Sequence, residues 1–235
     1  MIWRSLICFK LAALAACAAM LSGTVVLRDS RIAAVTRQKD YSGLVISAQP
    51  VNAPPLPAPA AHAKMLQKDK TFMPHILPVA AGTTVDFPNA DPIFHNAFSS
   101  YSGQIFDVGL YPPGTSRAVR FTRPGVLRVF CNIHPAMSAI ILVLDTPWFV
   151  KTDKDGSFGM NVPPGEYDLK VFHERSTEQE LAGLGQWVIV PEGGLRVPPI
   201  TVSEAGYLVV PHKNKYGHEY PPSADDQVFY PGVRN

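Results

Sequence analysis

Apolar and polar positions alternate with a period of two along most of this chain, the pattern of strands with one buried face. TVVLRD (24–29) and GLVISA (43–48) predict one or two strands near the start. From Thr71 to Thr146 the strands crowd together. FMPHILPVAAGTTVDFPN reads as two strands across an Ala-Gly turn, SRAVRFTRPGVLRVFC as two more across Pro124-Gly125, and SAIILVLD as a last one. A second unit starts near Pro147, where DKDG (153–156) and PPG (163–165) supply turns before SFGMNV and YDLKVFH. LRVPPITVS and GYLVVPH predict a further strand or two, and a polar, aromatic tail follows. No long stretch after residue 25 carries apolar residues at helical spacing.

Composition supports this reading. Of 235 residues, 23 are proline and 17 glycine, which suits short strands and tight turns. The expected domains are an export leader over 1–23, N-terminal strands and a Pro/Ala-rich linker over 24–65, a β-sandwich over 66–146, a small β domain over 147–210 and a tail over 211–235. The linker QPVNAPPLPAPAAHA (49–63) should be extended. A net charge of +2 gives no field that would attract nucleic acid.

The leader has a basic start (Arg4, Lys10) and a small-residue apolar run. Ala16-Cys17-Ala18 suits ordinary cleavage; Leu14-Ala15-Ala16-Cys17 also suits lipidation at Cys17, the one route by which a membrane partner is expected. The expected location is the periplasm. Cys8 and Cys17 lie in the leader, so Cys131 stands alone in the folded part and no internal disulfide is available to it. A lone thiol in an oxidising compartment needs deep burial or a function.

The function is offered by Cys131-Asn132-Ile133-His134-Pro135-Ala136-Met137. Leu127, Val129 and Cys131 share the inward face of one strand, and Met137, Ala139, Ile141 and Val143 share a face of the next. A thiolate, an imidazole and a thioether can therefore converge at the mouth of a sandwich. His95, beyond the strand TTVDFP, fits as a second imidazole. One thiolate, two neutral imidazoles and a weak thioether suit a single copper ion in both its +1 and +2 states. Asn96 would bridge the two ligand loops, with Asn132 and Pro135 also next to the ligands. A closed zinc site would want a fourth strong nitrogen or sulfur donor.

These residues resemble the cupredoxins, the group of plastocyanin, pseudoazurin and amicyanin. The shared features are His95-Asn96, the Pro124-Gly125 turn six residues ahead of Cys131, then C-x2-H and a methionine. More narrowly, FPNADPIFHN, FTRPG, CNIHPAM and LVLDTPWF resemble plastocyanin-like methylamine-utilisation proteins. The resemblance implies an all-β chain: a Greek-key cupredoxin sandwich, then a small β-sandwich like the carboxypeptidase-regulatory and transthyretin-like domains. It also implies His95, Cys131, His134 and Met137 as copper ligands, and one-electron exchange with a redox protein partner rather than enzymatic catalysis. Only Pro135 and Ala136 separate His134 from Met137, fewer residues than the small cupredoxins usually have, and Asn132 stands where a small or hydroxylic residue is common.

Other readings compete. The same ligands could serve a copper carrier or store, or the sandwich could be a metal-free binding module. Cys131 could be an inert core thiol or a nucleophile, and Met137 core filler. Asp153 and Asp155 read as hairpin residues rather than a calcium loop. His75 reads as an edge histidine. His212 and His218 read as residues of a solvated tail, where Tyr216, Tyr220 and Tyr230 could pack on the domain or on a partner.

Overall fold

A computed structural model describes residues 18–52, 61–100, 103–206 and 212–220. Among them the chain runs β1 (Ala19–Arg28), α1 (Ala33–Gln38), β2 (Val45–Pro50), β3 (His62–Lys64), β4 (Leu66–Lys68), β5 (Thr71–Met73), β6 (Ile76–Ala80), β7 (Thr84–Pro88), β8 (Phe98–Ser99), β9 (Phe106–Asp107) and β10 (Ser116–Arg120). It continues through β11 (Gly125–Phe130), β12 (Ser138–Leu144), β13 (Phe149–Lys151), β14 (Ser157–Val162), β15 (Gly165–Phe172), α2 (Glu178–Gly183), β16 (Gln186–Val190), β17 (Leu195–Arg196) and β18 (Ile200–Ser203). The protein is all-β in character; the two helices among the described residues are six residues each.

The middle of the chain forms one sandwich. A five-stranded sheet ordered β6-β12-β11-β8-β9 faces a three-stranded sheet ordered β10-β7-β3. Their inner faces enclose Val85, Phe87, Phe121, Leu127, Val129, Ala139, Ile141 and Val143. Alternation explains the choice: in β11 Leu127 and Val129 turn inward while Arg128 stays exposed. β12 is buried on both faces, with Ile140 and Leu142 only 2% and 5% exposed. They line, with Leu144, a cleft of about 520 Å3 whose far wall holds Ser47, Lys170, Phe172 and Glu174 of the second unit.

That second unit corrects the expected boundaries. β1 pairs with β14, β17 and β18, and β2 pairs with β13 and β15. The N-terminal strands, expected as a separate stretch over 24–65, thus belong to the same core as the C-terminal ones. β3 in turn pairs with β7, so the middle sandwich begins at His62 rather than residue 66. It is an insert between β2 and β13. Part of the expected leader also lies within a strand. Ala19 and Leu21 are buried in β1, so residues 19–23 are part of the fold. Residues 1–17 of the expected leader, with Cys17, most of the linker, the YLVVP segment (207–211) and Tyr230 lie outside the described residues.

DKDG is a hairpin turn, as its composition suggests: Asp155 accepts hydrogen bonds from the backbone and hydroxyl of Ser157. Gly156 takes φ 80°, and a Cβ there would stand 2.0 Å from the Val25 carbonyl oxygen. Only glycine fits this close approach to β1. The missed α2 is capped by Thr177, which accepts from the Glu180 N–H.

A polar bridge joins the units. His75 lies 3.1 Å through Nδ1 from the Ser138 carbonyl and 2.7 Å through Nε2 from Glu174 Oε2. The Glu174 hydrogen bond is the main force raising the His75 pKa above 6.5. Burial works against the charged form of Glu174, but His75 and Arg175 outweigh it and hold the carboxyl below 4.5. The raised histidine stabilises fully below its unfolded value and loses that contribution as pH rises through its folded one; the depressed carboxyl does the reverse as pH falls. The bridge is therefore fully formed between the ordinary values of 4.5 and 6.5. Because His75 is half-exposed, its contribution should be at most about 1 kcal/mol. Chemical denaturation across pH should show stability falling above neutrality, and His75→Gln should flatten that slope.

Candidate metal centre

Two loops build the site. The first follows β7 and carries His95. Its backbone is pinned by a pair of hydrogen bonds with Tyr111, N–H to carbonyl in both directions at 3.2 and 2.9 Å. The Tyr111 hydroxyl donates to the Phe87 carbonyl at 2.9 Å, fixing this pair to the end of β7. The second loop joins β11 to β12 and is closed by its own backbone. Cys131 N–H donates to the Met137 carbonyl at 3.2 Å, and Met137 N–H to the His134 carbonyl at 3.0 Å.

These loops bring three donors together. Cys131 Sγ lies 3.9 Å from His95 Nδ1 and 3.6 Å from His134 Nδ1. All three donor atoms fall within 4.8 Å of one another. The imidazole rings stand edge to face, with centroids 4.8 Å apart. Cys131 and His95 are fully buried, whereas His134 is half-buried. Met137 is buried as well, in the same apolar cluster as Cys131.

Asn96 ties the loops together. Its Oδ1 accepts the Asn132 N–H at 3.3 Å, and its amide donates to Asp107 and to the Gly109 carbonyl. Asn132 Oδ1 accepts from the Lys215 N–H, and the Pro135 carbonyl lies 2.8 Å from His212 Nε2. His75 is turned to the bridge between the units rather than to this site.

Two features escaped the sequence reading. Asp91 Oδ2 lies 2.7 Å from His95 Nε2, and the only available signal was a carboxylate four residues ahead of that histidine. The tail residues 212–220 lie on the second ligand loop. His212 stacks on Phe130 with centroids 3.9 Å apart, Tyr220 donates to the Cys131 carbonyl, and Lys215 pairs with Asp107 at 2.8 Å. The tail is mostly polar, so no apolar periodicity marks its docking.

The electrostatics suit a cation. Burial pushes the Cys131 thiol up, while the N–H groups of Ile133, Asn96 and His134 favour the thiolate. Burial also pushes His95 down, against the pull of Asp91, so the ring is neutral and offers a lone pair. One soft sulfur and two imidazole nitrogens, already gathered in a mostly buried site, fit copper.

No protein-family model matches the chain, and no curated protein matches it. Similar solved structures include a purple cupredoxin from Nitrosopumilus maritimus, 23% identical over 35% of this chain and 99% of that one, with a TM-score of 0.33. A reduced mutant of amicyanin is 19% identical over 36% of this chain and 83% of that one, at 0.34. A copper-containing nitrite reductase from Thermus scotoductus SA-01 is 27% identical over 41% of this chain but only 25% of its own length, at 0.34.

Metal binding at a protonated thiol releases that proton, so affinity should rise with pH. Titration of the metal-free protein with Cu(I) in a weakly buffered indicator solution should release about one proton per ion near neutrality. Cys131→Ser should abolish most of that release. Removing the loop tie should loosen the site without unfolding the sandwich: Asn96→Ala is expected to cost about 1–3 kcal/mol in stability, because it removes three part-buried hydrogen bonds.

Proposed function

We propose that this chain is an exported copper protein that carries one electron at a time. His95, Cys131 and His134 would hold a single copper ion, with Met137 as a weak fourth donor. The supporting observation is the preformed cluster itself: one thiol and two imidazoles, from two loops tied by Asn96, within 4.8 Å of one another. Copper bound there would supply a +1/+2 couple.

The chain's own residues account for the rest. Pinning by Tyr111 and the closed 131–137 loop limits movement of the donors, which keeps small the reorganisation that accompanies electron exchange. His134 is the donor nearest solvent and provides the exit route. Ile133, Pro135 and Ala136, its neighbours in sequence, and Pro92 and Phe94, on the His95 loop, are exposed and would form an apolar rim suited to brief contact with a redox protein. Catalysis would call for an open coordination position or a second metal site. Among the described residues, His95, Cys131 and His134 form the group of donors with metal-binding geometry, and we assign them to electron transfer. None of their helices is long and apolar enough to cross a membrane. The leader-like first residues support a periplasmic location.

The copper(II) form should show an intense visible absorption from the Cys131 thiolate and a reversible one-electron wave in voltammetry. Cys131→Ser should remove the band. A copper-loaded protein without that band would defeat the proposal, and rapid loss of copper to a chelator with irreversible voltammetry would select a carrier instead.

A further inference from the structure

The carboxylate of Asp91 is placed where it governs His95. His95 faces the sulfur with Nδ1, and its other nitrogen, Nε2, lies 2.7 Å from Asp91 Oδ2. The side chains are 0% and 7% exposed, so the contact is shielded from water. Asp91 is itself fixed from several sides. Its two oxygens accept the backbone N–H groups of Asp69 and Lys70, at 2.6 and 2.9 Å. Its own N–H donates to Asn89 Oδ1, while the Asn89 amide donates to the Ile93 carbonyl. The segment from 89 to 95 is thus a built cradle for one carboxylate.

Two consequences follow. An acceptor at Nε2 requires that nitrogen to carry the ring proton, which leaves the Nδ1 lone pair free on the side of Cys131. Moreover, a carboxylate brings a full negative charge into weakly polar surroundings, where it draws on the ring proton and makes Nδ1 a stronger donor. A neutral carbonyl partner would fix the same tautomer without that charge. We propose that Asp91 is a positioning residue that fixes the tautomer of His95 and favours the oxidised, more highly charged state of a metal held beside it. The second half of this inference rests on the copper reading above; the first half does not.

The experiment separates them. Asp91→Asn keeps an oxygen acceptor for Nε2–H but removes the charge; Asp91→Ala removes both. In the copper-loaded full chain, Asp91→Asn should retain the visible thiolate band while the ratio of Cu(II) to Cu(I) affinity falls about tenfold, a potential about 59 mV higher. Asp91→Ala should in addition release copper to a chelator at least about tenfold faster than Asp91→Asn. An unchanged potential in Asp91→Asn, with the band intact, would overturn the charge effect. Nitrogen-15 spectra of the metal-free parent read the tautomer of His95 directly and need no variant to fold. Protonation at Nε2 is expected; protonation at Nδ1 with Nε2 bare would overturn the positioning role. A parent with no thiolate band but with Nε2 protonated would refute the copper reading and leave the tautomer assignment standing.

Discussion

The side chain of Asn96 is the interaction on which the site depends. His95 and Cys131 are 36 residues apart in sequence and sit on different loops. Nothing in either loop alone fixes the distance between them. Asn96 follows His95 directly, and its oxygen takes the N–H of the residue that follows Cys131. Its nitrogen is held by Asp107 and Gly109. Each donor loop is stiffened by its own backbone pairs, so one amide between them transfers that stiffness to the gap.

The sandwich beneath needs support as well. β12 leads away from Met137, and its outer face is as apolar as its inner one. An isolated sandwich would present Ile140 and Leu142 to water. The second unit covers them and adds the His75–Glu174 bridge next to Ser138, one residue beyond the ligand loop. Its own core, from Leu21 and Ile46 to Leu169 and Val202, provides a rigid wall for that contact.

Much of this was written in local pattern. Alternation placed Leu127, Val129 and Cys131 on one inward face, and residue chemistry singled out His95 and His134. What local pattern lacks is the identity of partners. The strand at 19–28 shows that it is a strand, but nothing in its alternation names β14 or β18 as neighbours. That is why the N-terminal strands looked separate. The two helices span less than two turns each, too short for a 3.6-residue period to register. Asp91 was missed for a related reason: a carboxylate in a loop looks solvated until its burial is known.

The inserted sandwich leaves its host and returns to it at one seam. The Thr146 hydroxyl meets the Ala48 carbonyl at 2.7 Å across 98 residues of chain, and Ala48 N–H meets the Trp148 carbonyl. Closing so long a loop in an unfolded chain carries an entropy cost that grows with the logarithm of its length. Once the inserted sandwich has collapsed on its nearer contacts, the loop shrinks to the gap between its own two ends. Connectivity thus couples the two modules: a folded insert holds the halves of the outer one together, like a knot that brings both ends of its cord to hand.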